Sequence, residues 1–416
     1  MKFSEDVVQL INERFPDVNL DTLDQLTLDD LKAFKENVED LRHEYSLLEL
    51  SQKTAGNAAY GASANGHFYF FNPALAADIT GECRNLTETM NNGFEEFFHE
   101  TLWNRKDLWE RFDFELDESK HDWYRNQHVW IYSDTDSSYV TYGSLFEAMT
   151  PESQKKYESD EAKLNWILKF NKEFMDKQNN EWCDNIYNPR HGHNIHEFEL
   201  ETVSKSGIYL KKKKYLKGLV FNKGKFLLDH PKVSGTGIEI IKSTTPKLCR
   251  EILKDLMNSL MFDYKENNKD EYIILFNQKM SEYRKKFYNS PLEDISQSVS
   301  IGAYKKYVIN DTDFLEFTKG CPVSVHAIGR YNYLAHKNKQ DNIRTYSGKI
   351  KYYNIRIGMK NEGYFGFPAG ELPSWAPPMD KLTQWQKTVI DPINRFLDVM
   401  EIPKVSPGNA IQLSLF

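Results

Sequence analysis

The sequence has little cysteine and none in a framework. Its four cysteines, Cys83, Cys183, Cys249 and Cys321, stand far apart and never form Cys-x-x-Cys. That pattern excludes a disulfide scaffold and the usual structural zinc spacings, and it suits a reducing cytoplasm. No apolar run is long enough to span a bilayer, so no membrane association is expected, and the amino terminus lacks the pattern of a secretory signal. Low-complexity tracts and internal repeats are also missing. What is present is the composition of a folded chain: 416 residues, 40% hydrophobic and 14% aromatic. A chain of that length buries a large core, divided among two or three domains.

The net charge of −8 argues against a polyanion-binding protein only as an average. Residues 1–50 hold 5 Lys and Arg against 13 Asp and Glu, whereas residues 201–250 hold 12 against 3. A local basic patch decides polyanion binding, and the whole-chain sum bears mainly on solubility and steering. On charge alone the lysine-rich segment is equally a solvated face.

The most informative stretch is Tyr132-Ser133-Asp134-Thr135-Asp136-Ser137. It lies between the apolar runs Val129-Trp130-Ile131 and Tyr139-Val140, rich in β-branched and aromatic residues. This predicts a β-hairpin over 129–142 with two carboxylates at its tip. Hard oxygen donors on a stiff ribbon suit magnesium or manganese. Asp, Ser and Thr are also ordinary turn residues that bond their own backbone.

Upstream, Thr27 is a candidate cap for a helix whose apolar residues Leu28, Leu31, Phe34, Val38, Leu41, Tyr45 and Leu48 form one stripe, expected to be buried. Further along, Lys53, Asn57 and Tyr60 fall at i, i+4 and i+7, on one helical face. Gly61 is expected to end that helix or to admit a close backbone approach. Such a face can meet a phosphate, a sugar edge and a base; it can equally be a core helix with a snorkelling lysine.

The remaining pattern predicts strands at Phe68–Phe71, Phe198–Val203, Leu216–Phe221 and Tyr352–Ile357. Helices are expected over 81–106, 161–182, 271–288 and 380–400, with a solvated acidic loop and helix start over 146–161. Thr245-Pro246 reads as a cap followed by proline at the first helical position, opening a helix through Met261. Pro373–Pro378 reads as a turn, and Val405–Gly408 as a flexible link to a short tail.

Taken together these segments resemble the family B DNA polymerases, and among them the replicative enzymes of tailed bacteriophages. The hairpin is similar to the family's metal-binding motif C, with Ser133 where glycine is usual. Lys53-Thr-Ala-Gly-Asn57-Ala-Ala-Tyr60-Gly61 resembles the fingers motif K-x-x-x-N-S-x-Y-G, with Ala58 in place of serine. Lys212-Lys213-Lys214-Tyr215 resembles the primer-contacting K-K-R-Y segment, and Gly237-Ile-Glu239 through Lys242-Ser243 to Pro246 resembles the palm–thumb junction. The resemblance covers the whole chain but only the C-terminal half of such an enzyme. No D-x-x-S-L-Y-P-S stretch, the family's motif A, occurs in it.

The resemblance implies an α+β, right-hand polymerase architecture with an antiparallel palm sheet, a helical fingers segment and a mixed, mainly helical thumb. It places the second half of the fingers at 1–62, the palm with its metal-binding hairpin at 63–245, the thumb at 246–405 and a flexible tail at 406–416. It implies a DNA-directed DNA polymerase adding dNTPs to a primer 3′-end with two Mg2+ ions, or Mn2+. Asp136 would be the principal metal ligand, Asp134 a neighbour that supports metal or hydroxyl positioning, and Glu201 a further carboxylate near the metals. Lys53, Asn57, Tyr60 and Gly61 would bind the incoming nucleotide, and Lys53 would act on the transferred phosphate. Lys212, Lys213, Lys214, Tyr215, Lys242 and Ser243 would meet primer-template DNA.

The missing motif implies a split polymerase, in which an N-terminal polymerase fragment supplies motif A and the proofreading exonuclease. Three alternatives stay open: a non-catalytic primer-template grip that also binds a clamp, an inactive remnant, and a self-sufficient enzyme with Glu201 replacing the absent aspartate. The last five residues, Gln412-Leu413-Ser414-Leu415-Phe416, resemble the Q-L-S/D-L-F peptide that binds sliding clamps, with Gln412, Leu413, Leu415 and Phe416 as its contacts. The resemblance also implies a virus-encoded protein working in a bacterial cytoplasm. His191, His193 and His196 read as surface-loop histidines, because the nearest cysteine, Cys183, is in no recognised zinc spacing.

Overall fold

The computed structural model describes residues 5–16, 20, 26–134, 136–192, 196–301, 307–308, 314–343, 348–357 and 361–408. The chain divides into two compact units, Met1–Asn85 and Leu86–Phe416.

The first unit is helical. Helix α1 spans Glu5–Arg14 and α2 spans Leu28–Ser63. Thr27 caps α2 as expected, its side chain accepting from the Asp30 amide. The apolar stripe of α2 is only partly covered. Leu31, Phe34, Val38 and Leu41 are half-buried, while Leu28 is 68% and Leu48 53% exposed. The reason is length: α1 has 10 residues against 36, so it reaches along about 15 Å of a helix about 54 Å long. Its contact is local, with Phe15 meeting Phe34 edge-on at 5.7 Å. Gly61 does not end α2, which continues to Ser63. Phe68–Phe71, expected as a strand, is a pair of turns: the Phe68 amide donates to the Asn65 carbonyl and the Phe71 amide to Phe68. Asn72 then accepts from the Leu75 amide, with Pro73 behind it, and opens α3, Pro73–Glu96, eight residues earlier than expected.

The second unit begins inside α3, which runs into a π-helical turn, Phe97–Thr101. Phe97, Phe98, Leu102 and Trp103 pack with residues of α4, Asp160–Phe170, in an aromatic core; Trp166 and Phe170 stack at 4.8 Å. The stretch 146–161 holds two short helices, Gly143–Ala148 and Pro151–Lys156. A π-turn at Asn171–Met175 joins α4 to α5, Asp176–His191, so the helix expected over 161–182 extends nine residues further. His191 therefore sits in a helix rather than a loop, and His193 lies outside the described residues.

Between α3 and α4 lies the ribbon β1, Trp130–Asp134, and β2, Ser137–Val140. Beyond α5, β3 (Thr202–Lys211), β4 (Lys214–Asn222), β5 (Lys225–Phe226) and β6 (Lys232–Thr236) form a four-stranded antiparallel sheet. The segment 198–201 is not strand, so β3 starts at the end of the stretch expected. Helix α6, Lys247–Phe262, opens with Pro246 as its cap rather than Thr245, which is buried. It packs with α7, Lys269–Asn289, under that sheet.

A three-stranded antiparallel sheet follows: β7 (Gln297–Ile301), β8 (Gly348–Ile357) and β9 (Asn361–Pro368), with α8 (Val323–Lys337) on one face. Pro373–Pro378 turns as expected, the Ala376 amide donating to the Pro373 carbonyl. The last helical stretch is α9, Lys381–Trp385, a π-turn and α10, Asp391–Val399.

The fold is therefore α+β with antiparallel sheets. Among the described residues the antiparallel strands over 130–236 form two sheets, since β1–β2 shares no ladder with β3–β6. Compactness also breaks elsewhere than at residues 62 and 245. Helix α2 runs through residue 62, and the two units part inside α3. At the second, Ile208, Leu216 and Ile238 from the sheet side share one core with Leu248, Ile252, Trp385 and Phe396. The expected link at Val405–Gly408 is docked: Val405 is buried and exchanges both backbone bonds with the Asn394 side chain, and Arg284 donates to the Gly408 carbonyl. No helix of the described residues is long and apolar enough to cross a membrane, and none of the four cysteines forms a disulfide.

Candidate functional site

The acidic ribbon has the expected form. Ser133 pairs with Ser138 and Asp134 with Ser137, so Thr135 and Asp136 close the link. Asp136 is exposed; its amide donates to the Asp134 carbonyl at 2.7 Å, and the Ser137 hydroxyl donates to the same oxygen at 3.1 Å. Thr135 lies outside the described residues.

Helix α3 holds this ribbon through residues that sequence reading did not single out. Asn91, 7% exposed, donates through Nδ2 to Ser133 Oγ at 3.2 Å and accepts from Ser138 Oγ at 2.8 Å. One turn on, Glu95 Oε1 accepts the amides of Trp130 at 2.9 Å and Val129 at 3.2 Å. Its other oxygen lies 3.3 Å from His99 Nδ1. The signal was present as polar residues at i, i+4 and i+8 among the buried Met90, Phe94 and Phe98. The Asn91 bond also explains why serine stands at 133: glycine would leave a buried amide donor without that acceptor. Ser133→Ala is expected to lower stability by about 1–2 kcal/mol. The check is the urea midpoint at constant m-value, where an unmoved midpoint rejects the assignment.

The basic turn joins β3 to β4, with Lys211 paired to Lys214 and Lys212-Lys213 between them. Lys213 takes a left-handed backbone, φ 58°. Its amide donates to the Tyr132 hydroxyl at 3.0 Å, and its Nζ lies 3.6 Å from Asp134 Oδ1. Four tyrosines fasten the two ribbons together. Tyr132 and Tyr139 from β1–β2 meet Tyr209 and Tyr215 from β3–β4 with ring centroids 5.4–5.8 Å apart. Tilted and edge-on pairs of this kind add about 1 kcal/mol each beyond burial. The Tyr139 and Tyr215 hydroxyls lie 2.9 Å apart, and Lys217 Nζ caps the Tyr139 ring at 4.7 Å. Burial raises the Tyr139 and Tyr209 hydroxyls well above the ordinary phenol range and pushes the Lys217 ammonium down.

Two expected site positions are corrected here. Tyr215 is 8% exposed and committed to the tyrosine cluster, so it positions the basic turn rather than flanking a strand of DNA. Glu201 stands just before β3, at the end opposite the basic turn, on the order of 30 Å away along an extended strand. Its carboxylate pairs with Lys223 at 3.0 Å, and the structure does not bring it to the acidic tip. Lys242 is half-exposed and ion-paired: its Nζ lies 3.2 Å from Glu239 Oε1, which also takes Arg395 at 3.0 Å. Ser243 is exposed in the next turn. On the first unit, Lys53, Asn57, Tyr60 and Gly61 are all exposed on α2. Gln412, Leu413, Leu415 and Phe416 lie outside the described residues.

Among the described residues no group of three or more His, Cys, Asp or Glu side chains is placed to hold a metal ion. The tip does suit a partial site. Magnesium is held by one or two carboxylates and keeps waters and substrate phosphate oxygens for its other positions. Asp134 and Asp136 supply those two carboxylates. The Lys213–Asp134 pair, with Lys213 62% exposed, contributes about 1 kcal/mol or less.

A ribbon carrying two carboxylates is thus fastened to a turn carrying four consecutive lysines. No protein-family model matches the sequence, and no curated protein matches it.

Proposed function

We propose that the chain is the palm, thumb and part of the fingers of a DNA-directed DNA polymerase of the family B type, adding nucleotides to a primer 3′-end. The observation that carries this reading is the joining of the acidic tip to the lysine turn, with Lys213 Nζ 3.6 Å from Asp134 Oδ1. Nucleotidyl transfer from a dNTP to a primer 3′-hydroxyl, with release of pyrophosphate, needs hard-cation ligands beside a grip for a phosphodiester backbone. Bound at Asp134 and Asp136, magnesium would lower the pKa of the primer hydroxyl and neutralise the leaving pyrophosphate.

The chain's own residues do the rest. Lys212, Lys213 and Lys214 hold the primer backbone as point charges, without reading sequence. The tyrosine cluster fixes their distance from the carboxylates. On α2, Lys53 meets the triphosphate, Asn57 orients it and Tyr60 packs at the nascent pair. Motif A is not in these 416 residues, so the second acidic segment, together with any exonuclease, comes from outside them. The tail Gln412–Phe416 is assigned to a sliding clamp, where tethering raises processivity through effective concentration.

A second reading, a primer-template grip without catalysis, is favoured by the acid count at the tip. The experiment that separates the two is extension of a labelled primer-template with Mg2+ by the tagged chain, purified with its partners from its native source. Template-directed extension supports the enzyme; binding without extension supports the grip.

A further inference from the structure

Two cations share one carboxylate where the segment after β6 meets α10. Glu239, 17% exposed on its side chain, takes Lys242 Nζ and Arg395 Nη2 on the same oxygen, Oε1, at 3.2 and 3.0 Å. Lys214 lies within electrostatic range of Lys242, Arg395, Lys211 and Glu239. Burial disfavours the charged form of Lys214 first, repulsion by Lys242 adds to it, and Glu239 does not cancel the sum. Glu239 itself is held below the usual carboxylate range: burial opposes this, but Arg395 and Lys242 overcome it. The cluster thus has more positive charge than its carboxylate neutralises, and its cations reach the surface, with Arg395 41% and Lys242 38% exposed. Arg395 Nε donates to the Asp391 carbonyl of its own helix, which orients the guanidinium.

We infer that this cluster binds one phosphodiester of a nucleic-acid strand. Arg395 carries the lysine track from the basic turn onto α10, and Glu239 is a built-in anion that positions the cations and competes with the strand. The inference rests on the DNA-binding half of the reading above. A phosphate fits a planar guanidinium and flanking ammoniums better than a carboxylate already shared between two cations. Free phosphate offers the same chemistry, so the test includes it as a separate arm.

The experiment is fluorescence anisotropy of a labelled primer-template with the full chain over a salt series, with Arg395→Ala, Arg395→Lys and Glu239→Gln. Arg395→Ala is expected to weaken binding about 3- to 10-fold and to reduce the log K against log salt slope by about 1. Arg395→Lys keeps the slope. Glu239→Gln is expected to tighten binding, the opposite sign. A merely structural role predicts weaker binding for Glu239→Gln, since that change removes two ion pairs, and that result overturns the inference. An unchanged salt slope for Arg395→Ala overturns it as well. Inorganic phosphate at constant ionic strength is expected to compete poorly; displacement of DNA from the wild type but not from Arg395→Ala makes this a free-phosphate site and refutes the strand assignment. If the wild type fails to bind DNA at all, the inference and the DNA-binding reading fall together. If it binds with Arg395 and Glu239 both silent, only the inference falls.

Discussion

Replacing Asp136 by alanine is expected to remove template-directed primer extension, with kcat lowered at least ~10³-fold and primer-template affinity changed less than about twofold. The side chain is exposed at the end of a two-residue link and packs into no core, so its loss costs little folding free energy. The effect falls on the transition state: about 4 kcal/mol corresponds to that rate loss, the scale expected when charge stabilisation at a transferred group is removed. Asp134→Ala is expected to be less clean, because Asp134 also meets Lys213 and so helps to place the basic turn. The measurement is single-turnover extension beside anisotropy on the same DNA. An Asp136→Ala protein that extends primers at the wild-type rate removes the enzyme reading.

The second large effect is expected at Gly237. It adopts φ 64°, and a Cβ there would lie 2.1 Å from the Lys213 carbonyl oxygen. The chain after β6 thus passes against the back of the basic turn, and only glycine leaves room. Gly237→Ala is expected to cost about 3 kcal/mol or more, combining left-handed strain of about 1–2 kcal/mol with a backbone clash. It also drives Lys213 off Tyr132 and Asp134. Gly224 is the matched control, with φ 80° and nothing within 4 Å of a Cβ. Alanine there is expected to cost about 1 kcal/mol through strain alone. Equal urea midpoints for the two variants would show that the close approach contributes nothing.

Local pattern was a good guide where the determinants are local. Two β-branched and aromatic runs around a polar tip announced β1–β2, Thr27 announced the start of α2, and Thr245-Pro246 announced α6, whose expected end fell within a residue of the observed one. It misled where a partner elsewhere in the chain decides. Phe68–Phe71 has strand composition, yet Asn65 and Gly66 before it and Asn72-Pro73 after it leave only turn geometry between two helices. The apolar stripe of α2 was legible as a stripe, but the length of its cover was not. Tyr215 follows four lysines and reads as a DNA contact; its burial depends on Tyr132 and Tyr139 from another ribbon, a pairing that local spacing does not encode. Glu201 was placed by motif resemblance, whereas its position relative to the tip is set by the length of β3. Asn91 and Arg395 were missed for the same reason, since each acts on a segment far from it in sequence.

The central claim is that Asp134 and Asp136 hold a divalent cation beside a lysine-bound primer. Its most direct test is anomalous diffraction from crystals of the chain with primer-template DNA, soaked in Mn2+. A manganese peak about 2 Å from an Asp136 carboxylate oxygen, with the primer backbone against Lys212–Lys214, is the predicted result. DNA bound with no manganese at the ribbon tip, or manganese held elsewhere with Asp136 still in solvent, contradicts it.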